Sequence, residues 1–350
     1  MKAELILENG MRFTGELFGD EREVVGEVIF ATNMAVGYQE AITNPASAGQ
    51  IVITTFPLIG NYGVNAIDIE SDKAAMTALV VREKCDFPSN FRCETTLDSF
   101  MKEKGVVGLC GIDTRALTRI IRDNGTMKGI IALNDMSDSN AKAKMAGFDE
   151  SKLVMSVTTK EKYTYSDKGD RNVAVIDLGV KRSTLEELAK RNAKVTVFPA
   201  DASADEIMAI KPDVVFLSGG PGNPADAPAV ETVKNLLGKV KVCGIALGHM
   251  VIALALGCKV EKLSFGHHGG NYPVKDLASG RVLITAQNDN YVITGLADGV
   301  SEIFKNVNDG TIAGFECKRK NAEGVLFTPN GGKSVFQDGF VFDRFLSKED

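Results

Sequence analysis

The pattern of apolar and polar positions changes character along the chain. Leu5, Ile6 and Leu7 run into Glu8-Asn9-Gly10-Met11, which predicts a type I′ hairpin because Asn and Gly both tolerate positive φ. Further strands are predicted around Val24–Phe30 and Ile51–Thr55. A helix is predicted from Asp113 as N-cap, with Ala116, Leu117, Ile120 and Ile121 on one face and Asn124-Gly125 as its stop. From about Asn134 to Asp170 the pattern fades into polar and small residues, which reads as a connection between domains.

Beyond Asp170 strands and helices alternate. NVAVIDLG, KVTVF, DVVFLS and VKVCGI read as buried strands. A helix opened by a Ser183–Glu186 capping box, the short helix DEIMAI and the apolar HMVIALAL separate them. Such alternation predicts an α/β fold: a β-rich α/β domain over 1–134, a connecting segment over 135–170, and a second domain over 171–350. The second domain is expected to hold a mostly parallel sheet with helices on both faces, and ligand sites in such sheets lie at the carboxyl ends of the strands.

Length and composition narrow the classes. The 350 residues suit two cores, and 44% hydrophobic with 25% charged residues is ordinary for a globular protein. No apolar run approaches the ~18 residues of a membrane span, and MKAELILENG lacks a signal-peptide profile, so a cytoplasmic protein is expected. A net charge of −6 argues against a nucleic-acid partner. The six cysteines form no C-x-x-C pair, so buried reduced thiols are expected rather than zinc or disulfides. His249, His267 and His268 are the only histidines and share one short window, which suits loop hydrogen bonding better than a metal site. Gly331-Gly332-Lys333-Ser334 lacks the earlier glycine of a phosphate loop, Phe327 standing there instead. No cofactor is expected.

The segment richest in chemistry is Gly244-Ile245-Ala246-Leu247-Gly248-His249-Met250. A buried strand ends and a helix begins within two residues, with glycines two places either side of Ala246. That is the spacing of a nucleophile elbow, where a sharp strand-to-helix turn exposes the apex side chain. The apex also sits at a helix N-terminus, which would stabilise a thiolate. Alanine offers no nucleophile. On these residues alone, a tight glycine turn into an ordinary buried helix remains open.

Other segments extend the pattern. G-I-A-L-G-H resembles the G-I-C-L-G-H elbow of class I glutamine amidotransferases. Phe265-Gly266-His267-His268-Gly269-Gly270-Asn271-Tyr272-Pro273-Val274 and Leu217-Ser218-Gly219-Gly220-Pro221-Gly222-Asn223-Pro224 are similar to two loops of the carbamoyl phosphate synthetase small-chain family. Gly37-Tyr38-Gln39-Glu40, Phe56-Pro57, Gly60-Asn61-Tyr62-Gly63, Ser89-Asn90-Phe91-Arg92 and Gly111-Ile112-Asp113-Thr114-Arg115 follow that family's order too. The resemblance covers essentially the whole chain. It implies a flavodoxin-like amidotransferase domain over 171–350 and, as partner, a large ATP-using synthetase chain that receives ammonia.

The departures from the family concentrate on its chemistry. The resemblance places a Cys–His–Glu triad at Ala246, Thr328 and Asn330, so all three side chains are absent. Loss of triad members costs about 10⁴–10⁶-fold in turnover. The pocket positions implied are Ala46, Gly220, Gly222, Leu247, Met250, Asn288, Asn290 and Tyr291. Ala46, Met250 and Asn290 depart from the family's Ser, Gln and Gly, so glutamine binding is expected to weaken by orders of magnitude. Cys243, inside a packed strand, is a poor substitute nucleophile. Three functions compete: a non-catalytic partner subunit serving pyrimidine or arginine synthesis, a binding module for another small molecule, and hydrolysis by other residues.

Overall fold

The computed structural model describes residues 1–32, 37–133, 135–329 and 338–347. They form two compact units, Met1–Glu150 with Ser264–Gly269, and Ser151–Leu263 with Gly270–Asp350. Among the described residues, no helix is long and apolar enough to cross a membrane.

The first unit is a closed barrel. Its strands are β1 (Lys2–Leu7), β2 (Arg12–Gly19), β3 (Val24–Ala31), β4 (Gln50–Thr54), β6 (Ala78–Val80), β8 (Val107–Cys110) and β9 (Met127–Ala132), in the order β1-β2-β8-β6-β4-β3-β9. A separate parallel pair joins β5 (Leu58–Ile59) to β7 (Glu83–Lys84). The helices are α1 (Tyr38–Thr43), α2 (Leu97–Lys104), α3 (Thr114–Asn124) and α4 (Asp138–Ala146). Leu5, Leu7, Val28, Ile51, Ile53, Val80 and Leu109 fill one core cluster together with Leu117 and Ile121 of α3. Burying each such side chain stabilises by roughly 1.5–3 kcal/mol. As the sequence predicts, Asp113 caps α3 by accepting from Ala116 N at 3.0 Å, and Gly125 ends it.

The first hairpin differs from expectation. Gly10 has φ 88 and donates to Leu7 O, while Asn9 is not among the residues with positive φ. The connection is therefore a three-residue loop closed by a left-handed glycine, and not a type I′ turn.

The second unit begins with α5 (Leu153–Val157) and is built on a ten-stranded sheet. Its strands are β10 (Tyr163–Ser166), β11 (Arg171–Asp177), β12 (Ala193–Pro199), β13 (Val214–Leu217), β14 (Lys241–Ile245), β15 (Lys259–Asp276), β16 (Val282–Gly295), β17 (Ser301–Asn306), β18 (Ile312–Cys317) and β19 (Ala322–Val325). They lie in the order β10-β12-β11-β13-β14-β19-β18-β16-β15-β17. The block β12-β11-β13-β14-β19 is parallel, whereas β10 and the later strands join antiparallel. The sheet is thus only partly parallel. Five parallel strands sit at its centre, and the hairpins that follow Ala255 widen it.

Period-two alternation sends neighbouring strand residues to opposite faces. Ala174 and Ile176 pack with α7 (Ala204–Met208), α8 (Ala229–Leu236) and α9 (Leu247–Ala255). Val173 and Val175 pack with α6 (Arg182–Lys190) and α10 (Phe340–Leu346). The capping box expected at Ser183 is not what opens α6. That helix starts at Arg182 with Lys181 as N-cap and no side-chain cap, so Ser183 already lies in the first turn. The box belongs to Ser203 and Glu206 of α7 instead.

The segment 135–170 carries structure of its own. Ala141 and Met145 of α4 pack with Ile6 and Ile130, and β10 pairs with β12. The division between the units falls after Glu150, and Ser264–Gly269 of β15 groups with the first unit. Two buried side chains on a polar helix leave little periodicity to read.

Candidate functional site

At the carboxyl end of the parallel block, β14 stops at Ile245 and α9 starts at Leu247. Ala246 alone makes the turn, with φ 48 and ψ −117. This conformation is strained for any residue with a Cβ, at about 1–3 kcal/mol. Hydrogen bonds hold it from three sides. Ala246 N donates to Val325 O of β19 at 2.9 Å, Gly248 N donates to Ser218 O at 3.0 Å, and Met250 N donates to Ala246 O at 3.2 Å.

The flanking glycines let the helix sit directly on the strands. A Cβ on Gly244 would lie 2.8 Å from the Gly248 carbonyl carbon, and one on Gly248 would lie 2.5 Å from Leu217 O. The loop after β13 closes against the apex in the same way. A Cβ on Gly219 would be 3.4 Å from that of Ala246, and one on Gly220 would be 2.1 Å from Leu178 O. Gly222 turns the loop with φ 85. Backbone therefore crowds around Ala246.

The side chains there are poor in reactive groups. Ala246, Leu247 and Met250 are all buried, and Leu247 and Met250 belong to the hydrophobic core of the α7–α9 face. Thr328 lies three residues beyond Val325, half-buried, its N–H donating to Ala286 O at 2.9 Å. A threonine hydroxyl without an adjacent base is a weak nucleophile. Asn288, Asn290 and Tyr291 are half-buried along β16, with Lys262 Nζ 5.8 Å above the Tyr291 ring. Ala46 belongs to the first unit, buried in a short turn where its N–H donates to Asn44 Oδ1. Asn330 and Gly331-Gly332-Lys333-Ser334 lie outside the described residues.

Neither sulfur nor imidazole compensates within this unit. Cys243 is fully buried in β14, and burial pushes its thiol well above the usual range, so it stays protonated. His249 points into the core, its ring 4.8 Å from that of Phe315. Burial pulls it down to about 3, opposed by the Gly324 backbone, so it is neutral at pH 7. His267 and His268 are buried in the stretch of β15 that groups with the first unit.

A pH effect on stability follows. The ordinary value of 6.5 for His249 falls to about 3 on folding, so on acidification the unfolded chain takes up the proton first. The stability is fully present above 6.5 and is lost as pH falls toward 3, at about 1.4 kcal/mol per unit. Urea unfolding at pH 6.5 and pH 5 should show the parent chain losing roughly 1.5 kcal/mol more than His249→Gln. Equal losses would contradict the assignment.

One contributor was missed in the sequence. Asp177, at the carboxyl end of β11, accepts from Thr159 N, Gly179 N and Val180 N at 2.7–2.9 Å. Burial pushes its carboxyl up, and those three donors pull it back. It fixes the turn carrying Leu178, against whose carbonyl Gly220 packs. An Asp-x-Gly directly after a buried strand was the available signal.

The chain resembles known proteins along its whole length. Residues 5–131 match the family described as carbamoyl-phosphate synthase small chain, CPSase domain, and residues 174–348 match glutamine amidotransferase class-I. It is 47% identical over 347 residues to the carbamoyl phosphate synthase small chain of Clostridium perfringens, covering 99% of each chain. The small chain of Bacillus caldolyticus is 45% identical over 354 residues, covering 99% of this chain and 96% of the other. The pyrimidine-specific small chain of Halalkalibacterium halodurans is 46% identical, with the same coverage.

Proposed function

This chain belongs to the carbamoyl phosphate synthase small-chain family, and we propose that it is a member that no longer cleaves glutamine and acts as the non-hydrolytic partner of a large, ATP-using chain. The observation that carries the proposal is the elbow itself: a strained apex occupied by a methyl group. Amide cleavage through a covalent intermediate needs a nucleophile at that apex and a base to manage its proton. The residues corresponding to nucleophile, base and orienter are Ala246, Thr328 and Asn330. The elbow persists because its glycines are locked by packing against β13 and α9, whether or not chemistry occurs there.

Glutamine is held weakly on this reading, because Met250 offers no hydrogen-bonding group beside the elbow. The chain works in the cytoplasm, without metal or cofactor of its own. Relatives named pyrimidine-specific support pyrimidine supply over arginine supply. A small-molecule pocket of new specificity has less support, since Met250 is packed into the core rather than bordering a vacated space.

The test is nitrogen-donor preference. Co-expressed with the large synthase chain of the same organism, the protein should support carbamoyl phosphate formation from ammonium chloride. Glutamine should support a rate lower by about 10³-fold or more. Comparable rates from both donors would overturn the proposal.

A further inference from the structure

In the first unit, the chain between β7 and α2 carries Phe87 and Phe91, each 92% exposed. Among the described residues these are the most exposed large apolar side chains, and Ile67 at 68% follows them. Scattered surface apolar residues are ordinary, but two phenylalanines presented almost entirely to water in one short loop mark a contact surface. The loop backbone is fixed without their help. Glu83 N donates to Pro57 O and Cys85 N to Ile59 O at its base. Ser89 N donates to Asn61 O at 2.9 Å, Cys93 N to Asn90 O at 3.0 Å, and Arg92 N to Asn90 Oδ1 at 2.9 Å. The two rings contribute nothing to the core and are held ready at little entropic cost to binding.

The surroundings indicate what covers them. The Arg92 guanidinium lies 5.6 Å from the Phe91 ring centroid, and its nearest carboxylate, Asp68, is 4.0 Å away. Aromatic and arginine side chains together are the composition of interface hot spots. A surface complementary to these groups would be an apolar pocket with an acidic rim. The loop also lies within 5–131, the part matched by the small-chain domain, and not within the amidotransferase match at 174–348. A contact that only small chains need belongs on the former.

We propose that Phe87, Phe91 and Arg92 form the anchor by which this chain docks on the large synthase chain, which supplies an apolar pocket with an acidic rim. The proposal rests on the partner-subunit reading above. Titration of the purified large chain onto immobilised protein tests it, with Phe87→Ala, Phe91→Ala and Arg92→Glu compared with the parent chain. Each phenylalanine change should weaken binding by about 30-fold, with an unchanged thermal midpoint because neither ring is buried. Arg92→Glu should weaken binding and flatten its dependence on salt. Variants that bind within about threefold of the parent would overturn the anchor. So would light scattering that shows parent-chain dimers abolished by the same changes, which would give the surface to a second copy. A parent chain that binds no large chain overturns both readings, whereas a complex that uses glutamine freely overturns only the loss of hydrolysis.

Discussion

Ala246→Cys alone is expected to leave glutamine hydrolysis at background. The new sulfur would sit at the N-terminus of α9, where the helix dipole favours a thiolate. It should therefore react with iodoacetamide faster than Cys243, which lies inside β14 and is held protonated by burial. Turnover needs more than a thiolate. Breaking the carboxamide requires a proton on the leaving ammonia, and Thr328 holds no titratable group near neutral pH. Missing general acid–base assistance costs about 10²–10⁴-fold. Intact mass before and after alkylation, alongside an ammonia assay, separates a reactive thiol from a working one. Ammonia release at the level of hydrolytic small chains from this single change would mean that the base and orienter have been placed wrongly.

Gly248→Ala and Gly220→Ala are expected to damage the fold more than most single substitutions. At Gly248 the added carbon would lie 2.5 Å from Leu217 O, and at Gly220 it would lie 2.1 Å from Leu178 O. Both obstacles are backbone atoms of the central strands or the turn after them, so no side chain can swing aside. A loss of about 3 kcal/mol or more is expected for each. Gly270→Ala is the control, since nothing lies within 4 Å of its added carbon, and it should stay within about 0.5 kcal/mol of the parent. Urea midpoints compare the three. Small losses at Gly248 and Gly220 would show that the elbow is not held by packing, and the explanation for its persistence without a nucleophile would fail.

Much of this arrangement is legible in the sequence. Asp113 and Asn124-Gly125 marked the ends of α3 because capping is local chemistry. The elbow was legible because two glycines and a strand-to-helix change of period fall within five residues. Long-range closure was not. The barrel depends on β9 pairing with both β1 and β3 across about a hundred residues, and local periodicity does not encode such pairing. Ser183-x-x-Glu186 and Ser203-x-x-Glu206 offer the same capping pattern, and only tertiary context makes the second a box. Within the site, the identity of Met250 was plain but its burial in the core was not. The positive φ of Ala246 also could not be read from alanine, a residue that avoids that region by itself.

The shortest route to a decision is to incubate the purified chain with glutamine, quench, and follow both ammonia and intact mass. A polypeptide with alanine at its bend, and with Cys243 and His249 on either side buried in the core, should release no ammonia above buffer and carry no added glutamyl mass. Sustained release, or an acyl adduct on any of its cysteines, would contradict the account.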